Sequence, residues 1–299
     1  MSDANTDNWG RWGADDEAGA ANLLTADTVL EALRGCRSGR VYALGSPIQR
    51  HGIPSVPYRP DPMRLTLINQ TDEKALEAFG ATGGIGSVED VLSFGSHAVT
   101  HIDALSHIYA EDRIYNGFSK DEATTLGGAA RCGIEKAGPM VTRGLLVDVA
   151  GHKGVPCLDP GQVVTAADLE EAMTAQGIAP RQGDAVLVRT GWFEAFLADE
   201  AGDLAPEQPG LGLEAARLLA AADVALVGAD NTAVEAMPFD NGDFVTVHIE
   251  LLVRRGIHLI EHLRLEELAR DGCHEFLFAV APLPLVGATA SPVNPIAIG

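Results

Sequence analysis

The chain is short of positive charge. Twenty-one lysine and arginine residues stand against forty-two aspartate and glutamate, a formal net charge of −21 over 299 residues. Such a surplus repels nucleic acid and anionic membrane surfaces, so neither is expected as a partner. Aromatic residues are scarce, at 5%. No run approaches the roughly 20 apolar residues that a membrane-spanning helix needs, and the first twenty residues are acidic and polar, unlike a secretory leader. The expectation is a soluble, cytoplasmic protein. The four cysteines (Cys36, Cys132, Cys157 and Cys273) form no C-x-x-C pair, which speaks against a zinc ribbon and against a disulfide framework. No Gly-x-Ser-x-Gly elbow is present to make Ser96 or Ser106 a nucleophile. Asp240-Asn-Gly-Asp243 starts like a calcium loop but lacks the spaced oxygens and closing Glu of an EF-hand, and reads as a turn.

Against this background the stretch from Phe94 to His107 stands out, because it places His97, His101, Asp103 and His107 within eleven residues. On a continuous helix, at ~100° per residue, His97 and His101 share a face while Asp103 and His107 point elsewhere. On a continuous strand all four share a face, but the run then spans about 33 Å, too long to grip one ion. A bent segment is required, with His101-x-Asp103 extended and His97 brought back by a turn. Imidazole nitrogen with carboxylate oxygen suits zinc, manganese or iron, and three such ligands leave a coordination position for water.

The remainder of the chain supplies a scaffold. An N-terminal arm, residues 1–24, carries Trp9 and Trp12, whose indoles are expected to pack against a core, a partner subunit or a pocket mouth. Thr25 reads as the N-cap of a first helix. Short strands are expected at Val41–Gly45 and Arg64–Ile68, separated by a passage with Pro47, Pro54, Pro57, Pro60 and Pro62, and a short helix at Asp72–Phe79. From Leu145 onward strands and helices alternate: strands Leu145–Val149, Ala185–Arg189, Val224–Gly228, Ile257–Glu261 and Glu275–Ala281, with helices Ala166–Gln176, Leu213–Ala222, Val247–Arg255 and Leu265–Arg270 between them. Such alternation indicates an α/β fold with parallel or mixed strands, in a single domain over residues 1–299. Asp148, Arg189, Thr190, Asp230, Asn231 and Glu261 fall at the C-terminal ends of strands, where open α/β sheets keep ligand sites, and are expected to converge on one cleft. Glu261 shares the apolar face of its strand. A carboxylate so placed needs a partner, either a metal or an arginine such as Arg189.

His97-Ala-Val-Thr-His-Ile-Asp-Ala-Leu-Ser-His107 resembles the motif H-x-G-T-H-x-D-x-x-x-H of the cyclase family of metal-dependent hydrolases, which includes kynurenine formamidases and isatin hydrolases. Val99 stands where the family usually has Gly, a departure located in the bend. The likeness extends to Trp12–Thr25, Ile114–Gly117, Val188–Trp192, Gly228–Asn231 and Leu251–Glu261, so it covers most of the chain and follows the family's longer members. It implies a layered swivelling β/β/α domain with a mixed sheet, assembled as a homodimer or homotetramer. It also implies that His97, His101 and Asp103 bind manganese or zinc, that Asp103 bridges to a second ion held by His248 and Glu261 where two ions are used, and that His107 is the general acid/base.

A bound cation lowers the pKa of water and polarises a carbonyl, so the expected reaction is hydrolysis of an amide, formamide, lactam or lactone of a small molecule. The substrate wall is expected among Trp9, Trp12, Phe94, Tyr115, Arg189, Trp192 and Asp230. Two rival readings stand beside it. His101, Asp103 and His248 also spell the two-histidine, one-carboxylate triad of non-haem iron oxygenases, and a metal-dependent binding protein needs the same cleft without turnover.

Overall fold

Apolar runs of four or five residues lie at the centre of the structure. The computed structural model of the chain describes residues 7–54, 56, 58–199 and 206–299; Pro57 and the first six residues of the arm lie outside them. Among the described residues one large mixed sheet contains β1 (Val41–Ala43), β2 (His101–Asp103), β3 (Met140–Asp148), β4 (Ala185–Arg189), β5 (Leu226–Ala229), β6 (His258–Glu261), β7 (Glu275–Val280), β8 (Ala290–Pro292) and β9 (Ile296–Ile298). Their spatial order is β1-β9-β7-β3-β4-β5-β6-β2-β8. Strands β3 to β6 run parallel, and every other pairing is antiparallel. Parallel strands covered on both faces need unbroken apolar sequence, and β4 and β5 are buried along their whole length.

Side-chain alternation divides the core in two. Val147, Val186, Val188, Val227 and Leu259 point to the face covered by the helices α2 (Ala166–Gln176) and α3 (Leu213–Ala221). Leu146, Leu187, Leu226 and Ile260 point to the opposite face, with Tyr42, Phe276 and Phe278. Each fully buried Val, Leu or Phe contributes roughly 1.5–3 kcal/mol relative to exposure. The first helix, α1 (Ala26–Gly35), starts in a capping box between Thr25 and Thr28, and α2 starts in one between Thr165 and Asp168.

A further helix begins at Thr246, is π-helical over Ile249–Arg255, and ends at Gly256 in the left-handed conformation. The arm is strapped onto it. Asn8 N–H donates to Arg254 O at 2.8 Å and Trp9 Nε1–H to Val253 O at 2.8 Å. Gly19 meets Gly256 so closely that a Cβ at Gly19 would lie 2.2 Å from the Gly256 carbonyl oxygen. Trp9 and Trp12 pack, partly buried, against the helix-side core.

The strand expected at Leu145–Val149 starts earlier and stops one residue sooner. Its first residues pair with β7, Thr142 opposite Phe278, and the interleaved Thr142 and Arg143 hide that edge in the sequence. Strands β8 and β9 are three residues each and carry no readable period; β9 nevertheless lies between β1 and β7. A separate hairpin pairs Met63–Ile68 with Glu89–Ser93 and leaves Leu65, Leu67 and Leu92 exposed. The four cysteines are free thiols. Among the described residues no helix is long and apolar enough to cross a membrane.

Candidate metal centre

The histidine stretch is bent as its spacing requires. Ala98 N–H closes a turn onto Gly95 O at 3.0 Å, β2 then extends over His101–Asp103, and His107 N–H turns back onto Ala104 O at 3.0 Å. In β2 the alternation sends Ile102 into the opposite core while His101 and Asp103 share the other face. Antiparallel register sets Glu261 of β6 directly opposite His101. His248 enters from the helix that begins at Thr246.

The side chains converge on Asp103. His97 Nε2 lies 3.4 Å and His101 Nε2 3.5 Å from Asp103 Oδ1, and His248 Nε2 lies 3.8 Å from Oδ2. Glu261 completes the ring, 3.3 Å from His101 Nε2 and 3.5 Å from His248 Nε2. His107 stands at its side, its ring centroid 4.1 Å from that of His97. Ligand atoms of His97, Asp103 and His107 lie within 4.8 Å of one another, as do those of Asp103, His248 and Glu261. His97 Nε2, His101 Nε2, both Asp103 oxygens and Glu261 Oε2 are buried with no hydrogen-bond partner. Buried polar atoms are almost always paired; leaving even a neutral one unpaired costs roughly 2–7 kcal/mol, and a charged one far more. Five such atoms gathered around Asp103 fit a divalent cation in donor type.

The hydrogen bonds behind the ligands fix which nitrogen is free. His101 Nδ1 is 2.7 Å from Val99 O, a carbonyl that only accepts, so the proton sits on Nδ1 and Nε2 offers its lone pair. His248 Nδ1 is 2.5 Å from Glu235 Oε1, and the same carboxylate accepts from the Val247 and His248 amides at 3.3 Å each. This is the carboxylate–histidine arrangement that orients metal-binding imidazoles. His262 comes within ligand reach of His101 and Glu261, but its Nδ1 donates to Val99 O at 2.9 Å and its Nε2 bonds Thr232 Oγ1 at 3.0 Å. Both nitrogens are engaged, so it buttresses the Val99 carbonyl. His258 Nδ1 donates to Asp103 O at 2.8 Å.

Sequence reading did not pick out Glu235, His258 or His262. The available signal for Glu235 was a carboxylate in the otherwise apolar run Ala233–Met237. Asn231 holds that run in place, donating to Pro209 O at 2.8 Å and Glu235 O at 3.0 Å. Four non-glycine residues beside these groups have left-handed backbones: Val99, Val234, Val245 and His262, with φ of 53°, 59°, 49° and 56°. For a β-branched residue this conformation costs roughly 1–2 kcal/mol, and such strain concentrates at functional sites. Val99 is where the family motif has glycine, and its positive φ shows what glycine is for at that position.

Burial dominates the ionisation of the centre. It pushes His97 down to about 3, helped by the charges of Arg59 and His248. It also holds His101 and His107 well below the ordinary imidazole value. Burial and then the charge of Glu261 raise Asp103 well above the usual carboxylate range. For His248 burial acts downward but is overcome by the hydrogen bonds and charges of Glu235 and Glu261, which raise it to about 10. A proton on His248 and a cation in the ring therefore compete.

The other expected residues are placed differently. Arg189 donates to Asp148 Oδ1 at 2.8 Å and to Glu266 Oε2 at 2.5 Å, so it is not the partner of Glu261. Asp230 accepts from Thr190 N–H, Thr190 Oγ1–H and Gly191 N–H at 2.7–2.8 Å. The strand-end polar residues thus divide into a bonded set around Arg189 and Asp230, and a separate ring containing Glu261. Tyr115 is fully buried and donates to Asp16 Oδ2 at 2.8 Å, with its ring against Gly256. Trp192 is buried and stacks on Phe196, while Phe193 lies 6.0 Å from the His262 ring. Phe94 lines two adjoining surface grooves of about 810 and 420 Å³, neither of which includes a residue of the histidine ring. Orphaned donors, not groove size, locate the centre.

Residues 42–236 match the Cyclase family. This chain belongs to the cyclase family. The matched region contains His97, His101, Asp103 and His107 as well as Glu235, and the cyclase fold extends beyond it. A crystal structure described as a novel cyclase is 33% identical, covering 98% of this chain and 97% of its own, with a TM-score of 0.87. Isatin hydrolase A from Labrenzia aggregata shares the cyclase fold at 17% identity over 90% of this chain and 97% of its own, TM-score 0.64. A potential metal-dependent hydrolase with cyclase activity shares it at 21% identity over 86% and 98%, TM-score 0.54. Among curated proteins, none matches this cyclase.

Proposed function

We propose that this cyclase-family protein is a metal-dependent hydrolase that cleaves an amide, formamide, lactam or lactone bond of a small molecule. The observation that carries the reading is the set of five buried, unpartnered ligand atoms on His97, His101, Asp103 and Glu261, joined by His248 Nε2. Family membership and the metal-dependent hydrolases among its structural neighbours support it. A divalent ion held there, manganese or zinc, supplies Lewis acidity and a lowered pKa for water. Asp103, offering two oxygens between the two halves of the ring, suits either one ion or a shared pair.

The protein's own part is to position and to move a proton. His97 and His101 present neutral nitrogens, and His248 does so once the ion has displaced its proton; Val99 O and Glu235 fix the rings of His101 and His248. His107, which its surroundings keep neutral at pH 7, accepts a proton from water at a ring nitrogen and passes it to the leaving nitrogen or oxygen. The same reading takes in homodimeric or homotetrameric assembly, which the exposed apolar side chains of the 63–68/89–93 hairpin support, and a cytoplasmic location.

Two carboxylates together with three or four histidines exceed what an iron oxygenase triad uses, and the helix-covered sheet is not a β-barrel. The test is hydrolysis of formamides, lactams, lactones and imides by chelator-treated protein before and after manganese or zinc is restored. Ion-dependent cleavage of at least one class is expected. An ion-loaded protein that cleaves none of them is a binding protein, and oxygen consumption with ferrous iron would put the oxygenase in its place.

A further inference from the structure

Arg59 sits beside the metal centre without a carboxylate of its own. Its Nη1–H donates to the carbonyl oxygen of His97 at 2.8 Å, which ties the guanidinium to the backbone of a ring residue. After burial, its charge is among the causes that hold down the ionisation of His97, His101, His107 and His262. The chain has two acidic residues for every basic one, and its other half-buried arginines are claimed by them: Arg143 by Asp184 and Glu275, Arg189 by Asp148 and Glu266, Arg255 by Glu250. Among the described residues no carboxylate lies within ion-pair distance of Arg59, although it is only partly exposed.

A guanidinium presents five N–H donors in a planar fork that matches a carboxylate in a bidentate pair. One donor of Arg59 is used on the His97 carbonyl, which leaves the others for a ligand. We propose that Arg59 recognises an anionic group on the substrate, so that the preferred substrates of this site are amides or lactams that carry a carboxylate in addition to the scissile bond.

The inference rests on the hydrolase reading. In that reaction the oxygen of water bonds to the acyl carbon, the carbon–nitrogen bond breaks, the nitrogen takes a proton, and the acyl fragment leaves as a carboxylate. The group held by Arg59 is a second anion that takes no part in bond exchange. It anchors the substrate while the acyl carbon lies at the ring.

The experiment uses matched pairs of formamides and lactams, one member bearing a carboxylate and the other a hydroxymethyl group at the same atom, with ion-loaded full-length protein. The readout is the ratio of kcat/KM within each pair. Wild type is expected to favour the carboxylate member by roughly 10- to 100-fold, the worth of one charge-assisted pair. Arg59→Met brings the ratio close to one, chiefly through KM, and Arg59→Lys retains part of it. A wild-type ratio near one overturns the proposal. So does an Arg59→Met variant that slows both members alike, since Arg59 would then act only through the His97 carbonyl. If no compound of any pair is cleaved, the hydrolase reading fails, and calorimetric binding of the same intact compounds decides for Arg59. A carboxylate preference that Arg59→Met abolishes supports it, and equal binding of both members overturns it.

Discussion

Replacing Glu235 by Gln should weaken ion binding without touching a ligand. The carboxylate accepts three hydrogen bonds, from His248 Nδ1 at 2.5 Å and from the Val247 and His248 amides at 3.3 Å. Glutamine keeps one oxygen, so His248 Nδ1–H retains an acceptor, but the charge that makes this bond roughly twice as strong as a neutral one is lost. Its amide NH2 must then face either the imidazole N–H or the backbone N–H groups. An unsatisfied buried donor costs about 1–3 kcal/mol, and the long amide bonds put this case at the low end. Loss of an outer partner of a metal-binding histidine typically lowers ion affinity 10- to 100-fold, about 1.4–2.7 kcal/mol. The assay is competition between the protein and a chromophoric chelator for manganese or zinc, with melting of the ion-free protein as a check on folding. We expect a 10- to 100-fold rise in Kd and a fall of about 1 kcal/mol in ion-free stability. A folded Glu235→Gln variant whose Kd stays within a factor of two of wild type would refute the assignment of Glu235 to His248.

Further outcomes follow from the same geometry. Val99→Gly relieves about 1–2 kcal/mol of left-handed strain but gives up three buried carbons at ~0.8 kcal/mol each and adds chain entropy, so denaturant unfolding should show a net loss of roughly 1–2 kcal/mol; ion affinity should change little, because the carbonyl that orients His101 remains. His107→Ala should lower turnover about 10²- to 10⁴-fold with the ion still bound, and near-normal turnover would remove His107 from proton transfer. Ion binding should strengthen as pH rises, because His248, held up to about 10, and Asp103, held well above the usual carboxylate range, must lose protons that His97 and His101 have already lost at pH 7; calorimetry in buffers of different ionisation enthalpy at pH 7 should report proton release, and heats independent of buffer would contradict it.

What could be read in the sequence was what local pattern encodes. Helix Ala166–Gln176 and strand Ala185–Arg189 have the expected ends, because a capping box and an apolar run are contained within the segment itself. The bend followed from spacing alone, since no straight segment brings His97, His101, Asp103 and His107 to one point. Glu235, His258 and His262 were not legible, because their meaning lies in partners 13, 155 and 163 residues away. Strands β8 and β9 were missed for a related reason: three-residue strands acquire their identity from neighbours across the sheet. Arg189 and Asp230 were read as strand-end polar residues of a cleft, and the fold uses them to join strand ends to one another.

The central claim is that one ring of side chains holds the metal. Anomalous diffraction from crystals soaked in manganese or zinc, recorded at the absorption edge of the ion, tests it most directly. The account predicts density for one ion, or for two sharing Asp103, in contact with His97, His101, His248 and Glu261. Ion density elsewhere in the molecule, with that ring empty at saturating metal, would contradict it.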